Sequence, residues 1–315
     1  MKTKLFPEAQ PVAQGWLEVG DGHEIHWQTS GNPEGWPVVW LHGGPGSSAS
    51  PLHRRFFDPA RYWIIQYDQR GCGRSRPAGG IQRNETSDLI TDIERLRTYF
   101  GLSRWSVVGG SWGGTLALLY ASAHPERVER MLLRSPFLAT NAEIENFMER
   151  PPEGCRARWL HLKAQVPESS KQSILEYGYH VFCQGDNPKD QAALARAWMD
   201  YEAAMNMYPA QAPTLGVTDG SALIARYRIQ SHYLQHRCFV QDDILAQAQA
   251  LKAIPLTLVH GDLDALCPFT NSLAIQHAVP QAKLIRVSGG GHDLTDPGML
   301  DATFEGLKQW DRYLP

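Results

Sequence analysis

The chain has 315 residues, 30 Lys+Arg against 33 Asp+Glu for a net charge of −3, 43% hydrophobic residues and 20% charged ones. That balance gives no electrostatic footprint for nucleic acid, and the composition is that of a globular protein with a sizeable core, which excludes disorder, collagen and coiled coil. Pro7 and Glu8 interrupt the N-terminus before an apolar signal core forms, and no run approaches the roughly 18 apolar residues a spanning helix needs. Cys72, Cys155, Cys183, Cys238 and Cys267 are odd in number, far apart and never CxxC, so the reading is a reducing, cytoplasmic compartment without a disulfide framework or zinc knuckle. Asn84-Glu85-Thr86 matches a glycosylation sequon and is read as a chance tripeptide in a surface loop.

In chain order, apolar runs at Pro37 to Leu41 and Tyr62 to Tyr67 predict strands buried on both faces. Leu89, Ile93, Leu96 and Phe100 then recur at helical spacing, with Thr86 or Ser87 as N-cap and Gly101 as the stop. Trp105 to Val108 and Val128 to Leu133 predict two more strands around a helix from Gly113 to Ala123, which His124-Pro125 ends. Residues 137–245 carry helical patterns broken by prolines and no strand pattern. The rhythm resumes with a strand at Pro255 to Val259, a helix around Leu273 to His277, a strand at Lys283 to Val287 and a last helix near Met299 to Tyr313. Alternating strand and helix implies an α/β fold with a mostly parallel sheet covered on both faces. The expected organisation is a catalytic domain made of 1–136 and 246–315, with a helical cap, 137–245, inserted between its halves.

Gly109-Gly110-Ser111-Trp112-Gly113 fits Gly-x-Ser-x-Gly between a strand and a helix. On that tight turn a serine is forced outward above the sheet, and the glycines at −2 and +2 leave the backbone room to turn. His42-Gly43-Gly44-Pro45-Gly46 follows the first predicted strand, where an α/β-hydrolase needs a backbone N–H aimed at an oxyanion; the second amide would come from Trp112. His260-Gly261-Asp262-Leu263-Asp264 and Gly289-Gly290-Gly291-His292 each lie just past a late strand, at the sheet edge where ligands bind. These give a triad in chain order: Ser111 as nucleophile, Asp264 as the acid and His292 as the base, with Asp262 left open by the spacing. His232 and His236 are i, i+4 without an intervening HExxH glutamate and are read as non-metal residues, and no cofactor is expected.

The HGGPG segment, Asp68-Gln69-Arg70-Gly71-Cys72-Gly73-Arg74-Ser75, Gly109 to Leu118 and His260-Gly261-x-x-Asp264-x-x-Cys267-Pro268 together resemble the proline iminopeptidases, a family of α/β-hydrolases. The resemblance covers the sheet domain and implies removal of N-terminal proline from peptides without a cofactor. It also implies the Ser111, Asp264, His292 triad and an oxyanion hole from the amides of Gly44 and Trp112. In that family two cap carboxylates hold the substrate's free amino group. Here the matching stretches read Trp198-Met199-Asp200-Tyr201-Glu202 and Arg228-Ile229-Gln230-Ser231-His232-Tyr233, so Glu202 keeps one carboxylate and Gln230 replaces the other. Asp200 and Asp219 are the candidates to compensate, Phe137 is the expected wall of a proline pocket, and a bulky thiol adduct on Cys267 would disturb the triad. The expected partner is a small peptide with a free N-terminus. A carboxylesterase or amidase on neutral small molecules is the alternative that Gln230 favours; a hydrolase-fold binding protein without turnover is the third. The sequence carries no signal for oligomeric state.

Overall fold

A computed structural model describes residues 5–213, 219–240 and 243–313. Eight strands form one sheet: β1 (Ala13–Gly20), β2 (His23–Gly31), β3 (Trp36–Leu41), β4 (Tyr62–Tyr67), β5 (Trp105–Gly110), β6 (Val128–Arg134), β7 (Leu256–Gly261) and β8 (Lys283–Val287). The spatial order is β1-β2-β4-β3-β5-β6-β7-β8; β1, β2 and β4 pair antiparallel and every later pairing is parallel.

The six strands from β3 onward follow the apolar runs. Because side chains alternate across a strand, each run feeds two cores. Val39, Ile65, Val107 and Leu133 pack on one side of the sheet with Leu116, Leu89 and Ile93. Val38, Ile64, Val108 and Leu132 pack on the other with Phe57, Phe304 and Trp310. All six residues of β5 are buried, as a central parallel strand requires. The antiparallel pair β1 and β2 carries no apolar run. Its second strand is buried through His23, His26, Gln28, Thr29 and Ser30, a polar set that hydropathy does not flag.

The first crossover helix runs Thr86–Tyr99, and its N-cap is Glu85 rather than Thr86 or Ser87: Glu85 and Asp88 form a reciprocal capping box. Asn84 is buried rather than in a surface loop. Its side chain donates to Arg70 O at 3.1 Å and to Gly80 O at 2.7 Å, and accepts from Tyr233 Oη at 2.8 Å, which leaves no exposed amide for a glycan. The helix behind β5 spans Trp112–Ala123, and the late helices Thr270–Ala278 and Pro297–Lys308 cover the sheet beside β7 and β8.

Between β6 and β7 the described residues form helices and no strand. The two longest are Pro188–Met207, which starts on Pro188 behind the Asn187 cap, and Gly220–Gln235, capped by Asp219. Trp198 and Tyr227 meet between them with ring centroids 5.5 Å apart, and Phe147 stacks on Tyr201 at 5.6 Å. Helix Gly220–Gln235 is seated on the sheet domain through the Tyr233–Asn84 bond and through Trp112 against Tyr233 at 5.3 Å. Gly46 makes a third seat: its φ is +91°, and a Cβ there would collide with the Arg226 carbonyl, so only glycine lets this turn approach the helix.

Candidate active site

Ser111 sits at the C-terminal end of β5 with φ +55° and ψ −125°, outside the regions comfortable for a side-chain-bearing residue. Gly109 and Gly113 make that turn possible. A Cβ on Gly109 would strike the Gly113 carbonyl, and one on Gly113 would strike the Leu41 carbonyl. The Ser111 amide donates to Arg134 O at 2.9 Å, which pins the turn to β6.

Asp264 and His292 leave the ends of β7 and β8 and meet at 2.7 Å between Oδ2 and Nδ1. The other Asp264 oxygen accepts from the amides of Leu266 and Cys267, both at 2.9 Å, while His260 Nε2 lies 3.4 Å from Oδ2. Burial alone would push this carboxyl up, but His292 and the hydrogen bonds from His260 and His292 outweigh it and hold Asp264 well below the usual carboxylate range. Asp262 does different work. It accepts from Arg286 Nε and from the Gly289 amide at 2.9 and 2.7 Å, which ties down the glycine loop leading to His292. Ser111 Oγ lies 3.9 Å from Cys267 Sγ and makes no hydrogen bond with the imidazole; such contacts are often long in a ligand-free hydrolase and tighten when substrate is bound. Burial raises the Cys267 thiol well above its ordinary value, so it is a neutral filler beside the serine.

The turn after β3 is organised by a network that the sequence motifs contain without revealing. The Gln69 amide donates to His42 Nε2 at 3.0 Å, so the proton of the imidazole is on Nδ1, which donates to the Gly43 carbonyl at 2.9 Å. Burial keeps the ring neutral by lowering its pKa. With the Gly43 carbonyl held by His42, the planar trans peptide directs the Gly44 N–H the opposite way. The Gln69 side chain donates through Nε2 to the His42 carbonyl at 2.8 Å and accepts at Oε1 from Trp112 Nε1 at 2.9 Å, so one side chain couples the turn after β3 to the serine turn. The Trp112 amide, first in its helix, has no intrahelical acceptor and sits at the positive end of the dipole. Asp68 braces the same region by accepting from the Ala49 and Arg74 amides at 2.7 and 3.0 Å, and Arg70 is buried on Asp92 at 2.6 Å.

A cavity of about 490 Å³ opens over these turns, and its wall includes Gly44, Ser111, His292, Phe137, Glu202 and Gln230. Asp200 and Asp219 do not line it: Asp200 faces Arg158 at 3.5 Å and Asp219 caps its helix. Two arginines that sequence reasoning passed over do line it. Arg134, at the end of β6, donates through Nη1 to the His292 carbonyl. Arg226 donates to Glu202 Oε2 at 2.7 Å, and Glu202 also accepts from Tyr227 Oη at 2.9 Å and Gln230 Nε2 at 2.7 Å.

Comparison with known proteins gives the fold and the family. The family profile described as alpha/beta hydrolase fold matches residues 37–297. A proline iminopeptidase of Xylella fastidiosa is 38% identical over 309 residues, covering 96% of this chain and 97% of its own length. One from Neisseria meningitidis is 37% identical over 312 residues, covering 96% and 98%. The chain belongs to the proline iminopeptidase family of alpha/beta hydrolases. A third relative, the proline iminopeptidase of Arabidopsis thaliana, is 37% identical over 95% of this chain and 80% of its own. Among solved structures, a proline iminopeptidase of Mycobacterium smegmatis superposes with a TM-score of 0.62 at 18% identity, over 96% of this chain and all of that one. VinJ superposes at 0.64 and 17% identity, over 97% of this chain and all of its own. These two share the fold. Among the described residues no helix is long and apolar enough to cross a membrane.

Proposed function

We propose that this chain is a serine aminopeptidase that releases N-terminal proline from peptides through an acyl-enzyme. Ser111 Oγ attacks the prolyl carbonyl while His292 Nε2 takes its proton, and Asp264 holds the imidazole in the tautomer that leaves Nε2 free. The tetrahedral oxyanion is received by the amides of Gly44 and Trp112, each such donor contributing on the order of 3 kcal/mol to the transition state. The C–N bond then breaks, His292 returns the proton to the departing amine, and water repeats the sequence on the acyl-enzyme. Residues 137–245 act as the cap over the domain formed by 1–136 and 246–315. Glu202 meets the substrate's amino group, with Gln230 beside it, and Phe137 packs on the pyrrolidine.

The observation that carries this reading is that one cavity is lined by the strained Ser111, by Glu202 and by His292, whose ring the buried Asp264 holds from behind at 2.7 Å. The five cysteines sit singly, four of them buried, which supports a reducing, cytoplasmic setting. A near-neutral charge supports a small peptide rather than nucleic acid as the partner.

The test is a panel of initial rates on prolyl arylamide, alanyl arylamide, N-blocked prolyl arylamide and a short acyl ester, with Ser111→Ala as blank. Fastest cleavage of the free prolyl compound, abolished by blocking, is the expected result. An ester-led profile indifferent to blocking would replace this reading with a carboxylesterase or amidase, which the pairing of Glu202 with Arg226 favours. Silence on all four substrates would point to a binding protein.

A further inference from the structure

Helix Pro188–Met207 turns one face to the cavity: Met199, Glu202, Ala203 and Asn206, spaced i, i+3, i+4 and i+7, all line it, so their side chains point into the same space. Glu202 is engaged by Arg226, Tyr227 and Gln230. Asn206, one turn further on, is half-buried, makes no side-chain hydrogen bond with any described residue, and neither polar atom of its amide is closed off from solvent. It therefore offers a donor, Nδ2, and an acceptor, Oδ1, to whatever fills the cavity.

The course of the helix decides which part of a substrate meets that amide. A Cβ on Gly291 would collide with the Tyr208 carbonyl, so the chain leaving the helix lies against the glycine loop immediately before His292. At about 1.5 Å of rise per residue, Asn206 stands roughly 3 Å before Tyr208 along the axis and Glu202 roughly 9 Å before it. Asn206 thus occupies the His292 end of this face and Glu202 the far end. His292 gives its proton to the departing nitrogen, so the residue after proline leaves past the imidazole while the substrate's amino group lies toward Glu202. In an extended residue the N–H and the C=O point to the same side, as in the paired residues of an antiparallel ladder. A primary amide complements that pair with one acceptor and one donor.

We propose that Asn206 binds the residue after proline by its backbone, with Oδ1 accepting from the N–H of the scissile bond and Nδ2 donating to that residue's carbonyl, and so favours peptides over proline derivatives whose leaving group has no carbonyl there. The proposal rests on the aminopeptidase reading of the same cavity. The bond broken is unchanged: the prolyl C–N bond cleaves and the His292 proton goes to the nitrogen, whose N–H stays on Asn206 while its lone pair faces the imidazole.

Prolyl-glycinamide offers both backbone groups, and prolyl arylamide offers the N–H alone. Their kcat/KM values in wild type, Asn206→Ala and Asn206→Asp, with Ser111→Ala as blank, test the proposal. Asn206→Ala should shift the glycinamide to arylamide ratio toward the arylamide by about 3- to 10-fold, the worth of one neutral hydrogen bond. Asn206→Asp keeps an acceptor and loses the donor, so it should shift the ratio the same way and at least as far. That change is isosteric, so it reads the donor even where the alanine variant does not fold. A ratio unchanged from wild type overturns the proposal; equal losses on both substrates would place Asn206 on the prolyl half of the substrate, beside Glu202. If wild type cleaves neither compound, the aminopeptidase reading fails and the proposal with it.

Discussion

Arg134 donates through Nη1 to the backbone carbonyl of His292, so a buried cation at the end of β6 holds the loop that carries the imidazole. Its Nε has no partner among the described residues, and burial lowers its pKa against the opposing pull of Asp264. A charge kept in such a place is poor evidence for stability, since apolar replacements of buried ions are often neutral. Its value is positional. Arg134→Met should lower kcat by roughly 10- to 100-fold, because a displacement of about 1 Å at the base costs that much, with KM and Tm little changed. A kcat within twofold of wild type would remove Arg134 from the machinery.

Ser111→Ala and His292→Ala should each lower kcat by on the order of 10⁴ to 10⁶, and the double variant should be no worse than the poorer single one, because the residues act as a unit. Asp264→Asn should cost about 10⁴ through the wrong imidazole tautomer. Asp262→Asn should cost far less, since that carboxylate serves Arg286 and the Gly289 amide rather than the ring. Steady-state kinetics on one chromogenic substrate separates the two aspartates; equal losses would undo the assignment of Asp264.

Glu202→Gln removes the counter-ion of Arg226 as well as the acceptor for a substrate amine. Arg226 is partly exposed, so the penalty belongs at the low end for a broken charge pair, about 2 kcal/mol or roughly 30-fold. The loss should fall on substrates with a free N-terminus and spare N-blocked ones. Identical losses on both would place Glu202 outside amine recognition.

The parallel part of the sheet was legible because strands buried on both faces must be continuous apolar runs, as Val38-Val39 and Val107-Val108 are. β2 escaped detection because its buried side chains include His26, Gln28 and Thr29, polar residues that hydropathy does not count; Gln28 donates to Gln66 at 3.1 Å inside the fold. The site divides the same way. Ser111 and His292 lie in glycine-rich turns after strands, where backbone geometry leaves its mark in residue type. Arg134 and Arg226 do not, because an arginine at a strand end or on a helix reads as solvated until a fold closes over it. Phe137, expected from the sequence as a pocket wall, is among the residues lining the cavity, just after the Ser135-Pro136 turn.

His232 gives the fold an acid-sensitive point outside the residues that carry the chemistry. Its Nε2 lies 3.1 Å from the Asn84 carbonyl and therefore carries the proton of the neutral ring, while Nδ1 is buried without a partner. Burial lowers its pKa from 6.5 to about 4, against the Asn84 bond and together with His236 and Arg228. A histidine with a depressed folded-state value binds its proton first in the unfolded chain, so its contribution to stability is complete above about pH 6.5 and is lost as pH falls toward 4. The shift corresponds to about 3 kcal/mol at most. His232→Gln keeps a donor for Asn84 O and cannot titrate, so the fall in Tm between pH 7.5 and 5 should be shallower in this variant than in wild type. Parallel Tm profiles across that range would show that the imidazole does not titrate against the fold.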